Sequence, residues 1–130
     1  MIVVDASVVL EVLLRTPAAA IVENRLFRRS ESLHAPHLLD VEVAQVLRRY
    51  SSRGELSPLR GQIAIGQLAR FPLTRHPHET LLPRIWALRA NLTAYDAAYV
   101  ALAEGLGATL LTRDERLAHS VSGRRFVELI

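Results

Sequence analysis

The chain has 130 residues, half of them hydrophobic and 5% aromatic, and its sixteen basic residues are all arginine; with thirteen acids the formal charge is +3. Lysine and cysteine are both absent, which excludes disulfides, thiolate metal sites, cysteine nucleophiles, Schiff-base lysines and the lysine of a phosphate-binding P-loop. The length predicts one domain over residues 1–130, and the small positive charge suits a polyanionic partner and an ordinary soluble surface equally well.

Ile2-Val3-Val4 is a β-branched run that stops at Asp5, and from Ser7 the apolar spacing turns helical through Val9, Leu10, Leu13 and Leu14; this predicts a buried strand, a tight turn and a helix. The opening stretch has no positive n-region and carries Asp5 and Glu11, so it reads as neither signal peptide nor membrane span, and the chain is expected to be cytoplasmic. Pro17 opens a second helix through Ile21, Val22, Leu26 and Phe27, with Arg25, Arg28 and Arg29 on its outer side. Residues 30–36 form a connection with room for a brief strand. A third amphipathic helix runs from His37 through Leu38, Val41, Ala44, Leu47 and Tyr50 to a stop at Gly54.

Ser57-Pro58 signals the start of a fourth helix that ends before Pro72. A strand is predicted over Phe71 to Thr74, then a helix from Glu79 to Ala90 with Pro83 in its first turn, and another from Tyr95 to Leu106 closed by Gly105 and Gly107. Ala108 to Thr112 reads as a strand, Glu115 to His119 as a short helix, and Phe126 to Leu129 as an edge strand. Strands alternating with helices predict an α/β fold, a sandwich around a mostly parallel central sheet.

Ligands of open parallel sheets gather beyond the carboxyl ends of the strands. Asp5 and Asp114 stand just past two predicted strands, while Glu42 and Asp96 stand near the starts of two helices. Each acid also has a structural explanation: Thr93 to Asp96 and Thr112 to Glu115 fit capping boxes, Glu42 suits a helix dipole, and Asp5 suits a turn. Four acids in such positions exceed what capping requires. Carboxylates brought together repel unless a cation joins them, and oxygen-only ligands select a hard ion, Mg²⁺ or Mn²⁺. Such an ion suits metal-assisted phosphodiester hydrolysis.

The stretches MIVVDASVVLEVLL, APHLLDVEVAQVLRR, LLPRIWALR and LTAYDAAYVALAEGLGATLLTRDERLA, in that order, resemble PIN-domain ribonucleases of the VapC toxin type over essentially the whole chain. The resemblance implies a PIN-like α/β/α sandwich and a Mg²⁺- or Mn²⁺-dependent endoribonuclease acting on structured RNA, often tRNA or rRNA. Asp5, Glu42, Asp96 and Asp114 match the family's acidic quartet, with Asp5, Asp96 and Asp114 as metal ligands, and Ser7 and Thr112 match its hydroxyl positions. It further implies a homodimer and a VapB-type antitoxin, through which alone DNA would be contacted.

Two other function classes remain open at this point. A receiver-like signalling domain also clusters acids at strand ends but normally needs a lysine, which this chain lacks. A non-catalytic nucleic-acid-binding module would use the arginines at 48, 49, 53, 113 and 116, yet acids in its cleft would oppose the ligand. The histidine pairs His34/His37 and His76/His78 lack a third ligand nearby and speak weakly for zinc.

Overall fold

The computed structural model describes all 130 residues. Five strands, β1 (Ile2–Val4), β2 (Leu33–Pro36), β3 (Leu73–His76), β4 (Thr109–Thr112) and β5 (Val127–Leu129), form one sheet in the order β3-β2-β1-β4-β5. Every pairing is parallel, so the sheet is wholly rather than mostly parallel. Seven α-helices connect the strands: α1 (Ala6–Leu13), α2 (Ala19–Phe27), α3 (Leu38–Ser52), α4 (Pro58–Ala69), α5 (Leu82–Ala87), α6 (Ala94–Leu106) and α7 (Glu115–Ser120). The first four pack against one another, α5 packs on α6, α7 joins α6 through the Arg116–Asp96 pair, and Arg124, in the turn after α7, pairs with Glu104 of α6. Right-handed crossovers put these two groups on opposite faces of the sheet.

Burial on both faces explains the composition of the strands. Ile2, Val3, Val4, Leu110 and Leu111 are fully inaccessible, as expected of parallel strands covered on both sides. Helix α6 is buried over seven consecutive residues, Ala97 to Ala103. Its alanines let the backbone lie close to β1 and β2, and Gly107, at φ +61°, supplies the left-handed residue that turns the chain into β4.

Differences from the expected elements have local causes. The helix predicted from Glu79 to Ala90 is a 3₁₀ turn at Glu79–Leu81 followed by α5, which ends at Ala87. Pro83 has no amide to continue an α-helical ladder across that junction. Strand β3 lies two residues later than predicted, because Pro72 precedes it and its register pairs Leu33 with Leu73 through Pro36 with His76. The brief strand of residues 30–36 is a central one, and Pro36 is tolerated there because β1 pairs only with Leu33 and His34.

Candidate active site

The winding of the sheet reverses between β1 and β4, the point at which open α/β sheets form their ligand crevice. Asp5 follows β1, and Asp114 lies two residues beyond β4. Asp5 caps α1: its Oδ1 accepts from the Ser7 hydroxyl at 2.5 Å and the Val8 amide at 3.2 Å, and its Oδ2 accepts from the Thr112 hydroxyl. The residue is 5% exposed. Burial raises its pKa, the Ser7, Thr112 and Val8 hydrogen bonds act the other way, and the charge of Asp114 raises it further.

The two hydroxyls also fix the neighbouring turn. Ser7 Oγ accepts from the Arg113 amide and Thr112 Oγ1 from the Asp114 amide, each at 2.9 Å. Thr112 is therefore committed to Asp5 and to the turn, and the cap of α7 falls on Asp114. Its Oδ1 accepts from the amides of Arg116 and Leu117 at 2.9 and 3.1 Å. This corrects the expected capping box, in which Thr112 capped and Glu115 closed. Thr93 does cap α6, accepting from the Asp96 amide at 3.1 Å. The Asp96 carboxylate turns instead to Arg116, whose Nη2 stands 3.3 Å from Asp96 Oδ2 and 3.4 Å from Asp114 Oδ2.

Glu42 projects from the second turn of α3, and its Oε1 accepts from the Tyr99 hydroxyl at 2.7 Å. Burial raises the pKa of Glu42, Tyr99 opposes the rise, and the charges of Asp96 and Asp5 add to it. Burial and the adjacent Glu42 push the Tyr99 phenol far above its ordinary range, so it remains a proton donor. Tyr99 was not singled out from the sequence. Its signal was the three-residue spacing from Asp96 on one helix, which puts both on neighbouring faces.

The four acids thus form one electrostatic unit: Asp5 feels Asp114, Glu42 feels Asp5 and Asp96, and Arg116 spans Asp96 and Asp114. Two carboxylates about 5 Å apart repel by roughly 3 kcal/mol at an effective dielectric near 20. Cationic charge relieves that repulsion, and Arg116, with its side chain 67% exposed, supplies part of it. No three carboxylate or imidazole groups are gathered tightly enough to enclose one ion. An oxygen-only donor set of this spread fits a hard, largely hydrated cation, which takes one or two carboxylates directly and keeps several waters.

Other candidates are placed as follows. Arg48, Arg49 and Arg53 are exposed on or at the end of α3. Arg113 is held by Glu11 Oε1 at 3.4 Å and the Ile130 carbonyl at 2.5 Å. The histidines pair across β2 and β3. His34 Nδ1 and His76 Nε2 are 2.9 Å apart, and His78 Nε2 accepts from the Leu38 amide at 3.0 Å, at the start of α3.

A family model described as the PIN domain matches residues 2–121. The chain is 48% identical over 118 residues to a protein named VapC ribonuclease Mb0985 from Mycobacterium bovis, covering 91% of this chain and 89% of that one. It is 42% identical over 130 residues to Ribonuclease VapC12 of Mycobacterium tuberculosis, covering 100% and 99%. Among solved structures, the fold is similar to a toxin–antitoxin complex from Klebsiella pneumoniae, with TM-score 0.69 at 18% identity, covering 98% of this chain and 96% of that one. It is also similar to VapC20 of Mycobacterium tuberculosis, described as a Sarcin-Ricin loop cleaving toxin, with TM-score 0.70 at 13% identity, covering 93% and 95%.

Proposed function

This chain belongs to the PIN domain family, with VapC-type ribonucleases among its relatives, and from that premise we propose that it is the endoribonuclease toxin of a toxin–antitoxin pair. The observation that carries the proposal is the coupling of Asp5, Glu42, Asp96 and Asp114 at the point where the sheet reverses. In this reading Asp5, Asp96 and Asp114 would hold Mg²⁺ or Mn²⁺, directly or through water. When bound, such an ion would supply charge stabilisation at a phosphoryl oxygen and acidify a water. Glu42, held by Tyr99, orients the attacking water and takes its proton. The Ser7 and Thr112 hydrogen bonds favour the charged form of Asp5 and oppose the upward push of its burial.

The substrate is RNA, with tRNA or rRNA as the target class. The natural inhibitor is a VapB-type antitoxin whose basic side chain pairs with the carboxylates, as Arg116 does within the chain; any DNA contact comes through that partner. We further assign the chain to the cytoplasm and to a homodimer, and treat residues 1–130 as one domain. No helix is long and apolar enough to cross a membrane.

The test is to purify Asp5→Asn and Asp96→Asn and measure Mg²⁺-dependent cleavage of RNA. Asparagine retains the capping oxygen at position 5, so the fold is preserved while cleavage is lost. Full activity in either variant refutes the assignment.

A further inference from the structure

Beside the acids lies an open cleft of about 370 Å³ between α3 and the start of α6, within the range of small-ligand sites. Its walls are apolar, from Leu38, Val41 and Val46 on α3 and the ring of Tyr95 on α6, and Glu42 forms part of its lining. Tyr95 is 64% exposed and Val41 72%, and Tyr95 immediately precedes Asp96. Tyr95 is the aromatic residue of this cleft and shares it with Glu42. Gln45 and Arg49 complete the cleft. The first offers an amide donor and acceptor, the second a cation.

We propose that this cleft binds one unpaired nucleobase of the RNA substrate, adjacent to the phosphate placed at Asp5 and Asp96. The inference rests on the nuclease reading above. A base is the occupant that satisfies all parts at once: a flat apolar face for Tyr95, hydrogen-bonding edges for Gln45, and a flanking phosphate for Arg49. Continuity with the acids through Glu42 puts that base next to the scissile position. Stretches of RNA with unstacked bases are thereby selected over continuous duplex, whose bases cannot reach the ring.

The experiment measures binding by fluorescence anisotropy in EDTA, where cleavage does not interfere. The probes are a fluorescein-labelled single-stranded decaribonucleotide of mixed sequence and a set in which one abasic residue is moved along it. For the wild-type protein, the abasic residue weakens binding at one position by about five-fold to a hundred-fold, the range for loss of one base–aromatic stack. Tyr95→Ala weakens the intact probe by the same factor and is indifferent to the abasic residue at that position, while Tyr95→Phe restores wild-type behaviour. Equal abasic sensitivity in wild type and Tyr95→Ala overturns the proposal. So does a change of oligomeric state on Tyr95→Ala in light scattering, which makes the cleft a protein interface. If the wild-type protein cleaves RNA while Tyr95→Ala binds normally, the subsite alone fails; if the wild type neither binds nor cleaves RNA, the nuclease reading fails with it.

Discussion

Tyr99→Phe removes a single hydroxyl from the buried face of α6 and leaves the ring to fill the same space. The Glu42 carboxylate then loses the donor 2.7 Å away. A hydrogen bond to a charged group contributes about 1.5–3 kcal/mol. Glu42 keeps some exposure to water, so the lower figure applies, and about 1.5 kcal/mol corresponds to roughly one pH unit. The Tyr99 bond favours ionised Glu42 against burial and against Asp96 and Asp5. Its loss therefore moves the pKa of Glu42, already raised, further up.

Two observables follow with opposite demands on pH. If Glu42 works as a carboxylate, the acidic limb of the pH–rate profile for RNA cleavage moves about one unit toward higher pH, and activity lost near neutrality returns in part on the alkaline side. For stability the sign is fixed by linkage: an acid whose folded pKa lies above its unfolded value favours folding at low pH, and that contribution is lost as pH rises through the folded pKa. Tyr99→Phe enlarges that loss, so in urea unfolding of metal-free protein it costs about 1.5 kcal/mol at pH 8 and much less where Glu42 is protonated. An unmoved acidic limb, together with equal destabilisation at both pH values, refutes the account of Tyr99 as the residue that keeps Glu42 ionised.

Two further substitutions test the framework. Thr112→Val conserves shape but removes the donor to Asp5 and the acceptor for the Asp114 amide; it is expected to cost about 1–3 kcal/mol in thermal or urea unfolding and to weaken Mn²⁺ binding measured by calorimetry. Arg25→Ala removes a two-pronged contact to Glu128, both N···O distances 2.8 Å, that ties α2 to β5. Both side chains are partly exposed, so about 1 kcal/mol is expected, reduced by salt. Arg25 holds Glu128 below the usual carboxylate range, so this stability is present above the unfolded pKa and fades as pH falls through the folded one. The gap between variant and wild type in unfolding experiments accordingly closes at acid pH.

The parts of the fold that follow from short-range rules were legible in the sequence. Ile2 to Val4 read as a buried strand and Ala108 to Thr112 as a strand, Ser57 and Thr93 cap their helices as expected, and the positions of Asp5 and Asp114 past strand ends followed from the same runs. Less legible were features decided by pairing across the chain. The register of β3 depends on β2, the hydroxyl of Thr112 is claimed by a residue 107 positions away, and Tyr99 meets Glu42 from another helix. The capping role and the site role of the acids are not rivals: in Asp5 and Asp114 they are one arrangement. A parallel strand that hands directly to a helix needs a capping oxygen at its carboxyl end, and at the reversal between β1 and β4 that places both capping carboxylates at the end of the sheet where open α/β folds bind ligands. Each spends oxygen lone pairs on amides or hydroxyls. Asp96 and Glu42, whose carboxylates accept no backbone amide, complete the acidic group from the helices beside them.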